Sequence, residues 1–267
     1  MNILLYTIIF IMGTIFGSFL TLATYRIPLN QDITHKRSYC PKCNHKLSFL
    51  DMIPIFSYIF LKGKCRYCKT KISPRYFVIE ILSGVAFVLL GIALNIDIYN
   101  LTKNSIMEFC IGVLYIIFVF LIAGIDKEHH KIDKRVLIYG IVISSISVIY
   151  NAITETNYNV NRILIYLIII AILTVINIIL TKKNKSNDYM IDSVIFCLII
   201  SVFTYEIATI ISIIGTLLII SIKLLLSKIV NNEERNVKEM PIAFYLSISN
   251  AITLIIIFIY HWSRIWK

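Results

Sequence analysis

The chain has 267 residues, of which 58% are hydrophobic, with a mean hydropathy of +0.82 and a formal net charge of +11. Soluble domains are roughly 45–50% apolar, and here the excess lies in long Ile-, Leu-, Val- and Phe-rich runs separated by short polar stretches. That distribution excludes an ordinary soluble core and points to membrane spans. The positive charge does not indicate a nucleic-acid partner, because no basic stripe carries interleaved aromatic residues outside the apolar runs.

In chain order the runs predict an all-α polytopic membrane protein with eight transmembrane helices at 3–25, 76–96, 106–125, 136–152, 162–181, 189–204, 206–228 and 241–262. The longer runs match the ~20 residues needed to cross a bilayer. The sixth is short and contains Asp192. The first lacks the basic leading segment and small-residue cleavage site of a secretory signal, so it reads as a membrane helix.

The loops alternate in charge. Residues 26–75 hold eleven Lys/Arg and two acids, and 126–135, 182–188 and 223–240 hold four, three and four Lys/Arg. Together these loops carry 22 of the 26 basic residues. Basic residues collect on the cytoplasmic side. The pattern therefore predicts an inner-membrane protein with both termini outside and the long loop in the cytoplasm. The chain divides into a first transmembrane helix (1–25), a cytoplasmic loop domain (26–75) and a seven-helix membrane domain (76–267).

The loop domain is too small for a rich core and needs a staple. Cys40-Pro-Lys-Cys43 and Cys65-Arg-Tyr-Cys68, separated by 21 residues, supply one. Each C-x-x-C turn can present two thiolates to a single tetrahedral ion, so Cys40, Cys43, Cys65 and Cys68 predict a structural zinc site. Disulfides are disfavoured in a reducing cytoplasm. Lys42, Lys46, Lys64, Arg66, Lys69 and Lys71 surround the pairs and could offset the charge of four thiolates on Zn²⁺. A closed four-sulfur site leaves no position for a hydrolytic water. Cys110 and Cys197 lie within spans and read as packing residues.

Carboxylates at a bilayer edge are costly and often functional. The candidates are Glu80, Asp126, Asp188, Asp192 and Glu206. Asp126 closes the third span and Asp188 opens the sixth, both at the predicted cytoplasmic boundary. Two carboxyl groups brought together cannot both ionise easily, which suits general acid–base hydrolysis. The bland alternative is that they snorkel to water. Asp192, one turn further into the same helix, is a rival to Asp188. Glu206 reads as a solvated outer residue. His129 and His130 are adjacent and make a poor metal fork. There is no H-E-x-x-H motif, and Gly17-Ser18 is not a nucleophile elbow.

Several stretches resemble the bacterial type IV prepilin peptidases, which are aspartic peptidases. They are GSFLTLATYRIP at 17–28 and the loop from Ser38 to Gly84. The latter contains the four Cys, the D-x-I-P-I-x-S-Y segment at 51–58, the turn KGKCRYC and the segment R-Y-x-x-x-E. Ile125-Asp126 fits the family's first aspartate motif, with Asp133 in the place of its proline. Asp188 aligns with the second, where Lys185-Ser186-Asn187 replaces the family's G-x-G and Met190 its lysine. Met240-Pro241 resembles the proline motif before the last span.

The resemblance implies a two-step enzyme with Asp126 and Asp188 catalytic. It would cleave the basic leader of type IV prepilins or pseudopilins on the cytoplasmic side. It would then N-methylate the new terminus with S-adenosylmethionine, with Glu80 and Gly84 as candidate residues for methyl transfer. Gly84 reads equally as a helix-packing residue. The missing glycines leave open a non-proteolytic zinc-loop membrane scaffold or a paralogue with impaired peptidase activity. A proton-relay transporter finds no support, since no inverted repeat is visible.

Overall fold

The computed structural model describes residues 2–35, 37–99, 101–154, 188–204, 206–230 and 240–265, with isolated helical positions between 168 and 175. The described elements are α1 (Asn2–Arg26), a 3₁₀ turn (Phe49–Asp51), α2 (Phe56–Phe60), α3 (Pro74–Ala93), α4 (Lys103–His129) and α5 (Lys134–Thr154). They are followed by α6 (Asp188–Phe203), α7 (Glu206–Val230) and α8 (Ile242–Ile265). Among the described residues the only extended pairing is two isolated bridges, Tyr39 with Lys46 and Lys64 with Lys71.

Six of these helices, α1, α3, α4, α5, α7 and α8, are long and apolar enough to cross a membrane. They correspond to six of the eight predicted spans. The sixth predicted span is present as the shorter apolar helix α6, and the fifth, 162–181, lies outside the described residues. The chain divides into two compact units, Met1–Ile117 and Phe118–Lys267.

In the first unit α1 packs along α3 at a spacing only small residues allow. A side chain at Gly13 would meet Gly84 Cα at 2.7 Å and the Ser83 carbonyl at 2.8 Å. One at Gly17 would meet Glu80 Cα at 2.9 Å. Apolar side chains gain little from leaving lipid for a helix interface, so association depends on such close backbone contact. Ser83 Oγ bridges the helices by donating to the Gly13 carbonyl at 2.7 Å. Pro74 at the first helical position and Ser73, whose Oγ accepts from Arg75 N at 3.4 Å, start α3.

In the second unit Phe118 of α4 packs edge-on against Phe196 of α6, with centroids 5.6 Å apart, and its ring fills the space above Gly140 of α5. Hydroxyls buried in α5, α7 and α8 donate to the carbonyl one turn back. Examples are Ser144 to Gly140, Ser212 to Ala208 and Ser247 to Ala243, at 2.7, 2.7 and 2.8 Å. Without water in the apolar interior, each polar hydrogen needs such an internal acceptor.

Gly13→Leu should overpack the α1–α3 seam and cost about 1–3 kcal/mol. A lowered thermal midpoint in detergent would register it, while Ile3→Leu, at an exposed α1 position, should leave the midpoint unchanged.

Candidate functional site

The four cysteines sit on two copies of one local structure. In the first, Cys40 N donates to the His45 carbonyl at 3.0 Å and Asn44 N donates back to the Cys40 carbonyl at 2.8 Å. In the second, Cys65 N donates to Thr70 at 2.9 Å and Lys69 N to Cys65 at 3.1 Å. Asn44 and Lys69, each four residues after the first Cys, share the left-handed conformation at φ 56° and 58°. Asn tolerates this geometry and Lys less so. The ring of His45 lies against Tyr67 in a tilted contact, centroids 3.5 Å apart, and joins the two copies.

All four sulfurs lie within 4.8 Å of one another, with Cys40 and Cys68 at 3.8 Å, and all are free thiols. Zn–S bonds of ~2.3 Å in a tetrahedron place sulfurs about 3.8 Å apart, so the cluster fits a zinc ion. The thiols themselves are out of balance. Hydrogen bonds from Thr70 pull Cys68 down to about 6. Cys43, despite a His45 backbone hydrogen bond, is pushed up to about 11 by burial and by the Cys68 and Cys40 sulfurs. Four crowded sulfurs cannot all ionise without a cation among them.

Arg66, expected to offset the sulfur charge, instead donates to Asp51 at 2.6 Å. Asp51 also accepts from Ser48 Oγ at 2.7 Å and Tyr67 at 3.3 Å. Burial would raise its carboxyl, but Ser48 and Arg66 hold it below the usual range. This pairing ties the 3₁₀ turn to the second cysteine turn.

Glu80 is buried in α3 and its Oε2 accepts the Ile55 amide at 2.7 Å. Ile55 has φ 63°, a strained conformation for a β-branched residue, and the Glu80 bond helps to hold it. The open side of Gly84 is filled by Phe10 and Thr14. Both residues thus serve packing between α1, α3 and the loop.

Asp126, in the last turn of α4, is fully buried. Its Oδ2 accepts the Phe244 amide at 2.9 Å, so the carboxyl caps α8 from another helix. The first amides of a helix lack internal acceptors and carry the positive end of its dipole, which suits a carboxylate. The Tyr189 hydroxyl, from the first turn of α6, lies 2.9 and 3.1 Å from the two Asp126 oxygens. It accepts the Ile242 amide at 2.6 Å and lies 3.3 Å from the Met240 carbonyl. Lys127 lies over the Phe244 ring at 4.8 Å.

The Asp188 side chain lies outside the described residues, although its backbone opens α6. Asp192 is buried one turn further in. It stands three residues after Tyr189, on the helix face that reaches Asp126. Tyr189 carried no motif in the sequence. Its aromatic hydroxyl directly after an interfacial aspartate was the only signal. Asp133, in the position of the family proline, pairs with Arg135 at 2.8 Å at the start of α5.

Residues 11–94 match the family model of the bacterial Peptidase A24 N-terminal domain. Over 133 residues the chain is 35% identical to a prepilin leader peptidase/N-methyltransferase of Bacillus subtilis, covering 50% of each. It is 42% identical over 79 residues to one from Myxococcus xanthus, covering 30% of this chain and 24% of the relative. It is 44% identical over 85 residues to one from Vibrio cholerae, covering 28% and 34%. The chain thus spans half or less of the length of these relatives. The resemblance to type IV prepilin peptidases read from the sequence is borne out by these matches. No solved structure matches the chain.

Metal analysis of purified protein should return about one zinc per chain. Cys65→Ser should lose that zinc and open residues 38–72 to protease, and a strong chelator should do the same to the unaltered protein.

Proposed function

We propose that the chain is a membrane aspartic endopeptidase that removes the leader of type IV prepilins or pseudopilins. The observation that carries this reading is the contact between Tyr189 and Asp126, which brings the start of α6 to the end of α4. Both rival second aspartates stand at that end of α6. The names of the matched relatives support the same activity.

In the proposed reaction one carboxyl is ionised and the other holds a proton. The ionised group takes a proton from water as the water oxygen attacks the scissile carbonyl. The protonated group donates to the carbonyl oxygen. Collapse of the tetrahedral intermediate then sends a proton to the leaving amine, with no covalent enzyme intermediate. Asp126 is the first carboxyl. Asp188 is the second by motif, and Asp192 is the alternative by burial. Tyr189 positions Asp126 and fills one of its lone-pair directions. The four-cysteine site has no open coordination position and takes no part in the hydrolysis.

The proposed setting is the inner membrane, with the zinc loop cytoplasmic, both termini outside and the domains divided at 25 and 75. The lopsided loop charge supports it. S-adenosylmethionine is the proposed methyl donor, on the strength of the relatives' names. Glu80 and Gly84 were its candidate residues from sequence. Both also hold contacts between α1, α3 and the loop, Glu80 through the Ile55 amide and Gly84 against Phe10 and Thr14.

A second reading, a non-proteolytic scaffold, has one observation in its favour. The Asp126 carboxyl is buried and hydrogen-bonded as a structural cap of α8.

Cleavage of a cognate prepilin by the reconstituted protein separates the readings. Asp126→Asn should insert normally and abolish cleavage. Between Asp188→Asn and Asp192→Asn, the inactive variant identifies the second carboxyl. No cleavage by the unaltered protein, beside an active family member, would favour the scaffold. Tyr189→Phe, which removes a hydrogen bond to the Asp126 carboxyl, should lower kcat about tenfold with KM little changed.

A further inference from the structure

We propose that α2 and the 3₁₀ turn before it form a lipid-docking surface, seated at the headgroup–acyl boundary of an anionic leaflet. This does not depend on the peptidase reading.

The surface is apolar where a loop should be polar. Along FSYIF, Tyr58 turns inward and stacks on Phe77 of α3 at 5.1 Å. Phe56, Ile59 and Phe60 turn outward and are 60%, 56% and 80% exposed. Phe49 and Leu50 of the 3₁₀ turn, which packs against α2, are also exposed. Single exposed apolar side chains are ordinary, but five large ones on two touching elements mark an interaction surface.

Two contacts set its depth. Ile55 N donates to Glu80 at 2.7 Å, and Tyr58 stacks on Phe77. Both partners stand in the first two turns of α3, a helix long and apolar enough to cross a membrane. Glu80 is six residues after Pro74, about 9 Å along the axis. An element held at that level lies beside the interface, where aromatic side chains are favoured.

The charge selects the lipid. Lys46, Lys62 and Lys64 are exposed around the apolar residues. Asp51, in the 3₁₀ turn itself, is paired with Arg66 at 2.6 Å. Basic residues beside an inserted apolar element are drawn to anionic headgroups. A basic peptide would be repelled by the same surface, which favours lipid over a leader segment as the occupant.

The test uses full-length protein in nanodiscs. With Trp262→Phe and Trp266→Phe removing the natural indoles, Phe60→Trp places one reporter on α2, and retained zinc content checks the fold. The expected result is blue-shifted emission, quenched about twofold or more by lipid spin-labelled near the headgroup and less by lipid labelled at the chain end. Adding Lys62→Glu and Lys64→Glu should reduce that quenching in discs rich in phosphatidylglycerol and leave it unchanged in phosphatidylcholine. Water-like emission quenched by acrylamide would overturn the proposal. So would blue-shifted emission that neither labelled lipid quenches, since protein would then cover the surface. Equal quenching with and without the lysines in the anionic discs would overturn the selection for anionic lipid.

Discussion

A carboxyl group buried among apolar helices must have its oxygens satisfied, and Asp126 meets that demand with the α8 amide of Phe244 and the α6 hydroxyl of Tyr189. The second unit's candidate chemistry depends on this arrangement. The ends of α4, α6 and α8 meet there because each supplies what another lacks. The first amides of α8 have no acceptor within their own helix, Asp126 is a buried acceptor, and Tyr189 both donates and accepts. Pro241 stands just before α8, at the helix start, where a missing amide hydrogen costs no intrahelical bond.

The first unit rests on a different constraint, the close approach of α1 and α3. Gly13, Gly17 and Gly84 bring backbones near enough for Ser83 to bridge them. That seam places Glu80 inside the packing, where its carboxyl finds the Ile55 amide. That bond helps to hold the strained turn at Ile55, and the separate stack of Tyr58 on Phe77 fixes α2 beside α3. The four-cysteine cluster holds the rest of the loop. Two matched turns and the Asp51–Arg66 pair substitute for the apolar core that so short a segment cannot build.

Several buried polar groups in both units are met by a partner on the same or a neighbouring helix. Hydroxyls along α5, α7 and α8 return to their own helices, while carboxyls reach across to a neighbouring backbone. This is the accounting that an apolar surround imposes, since an unpaired polar group there costs several kcal/mol. It separates the structural use of an acid, as a cap, from a chemical use that needs a second carboxyl beside it.

The sequence by itself determined the helical membrane class and the four cysteines as one cluster, and six of its eight predicted spans meet long apolar helices, because length, hydropathy and C-x-x-C spacing are local properties of the chain. It also singled out Asp126 by its place at the end of a span. Only the tertiary structure decided that Tyr189 and the start of α8 hold Asp126, that Arg66 serves Asp51 rather than the sulfurs, and that Glu80 anchors Ile55. Those are contacts between residues 25 to 118 positions apart, or choices among several equally placed partners, and no local pattern encodes them. Gly84 shows the limit from the other side. From the sequence it read equally as a candidate for methyl transfer and as a helix-packing residue, and only the structure shows Phe10 and Thr14 packed against it.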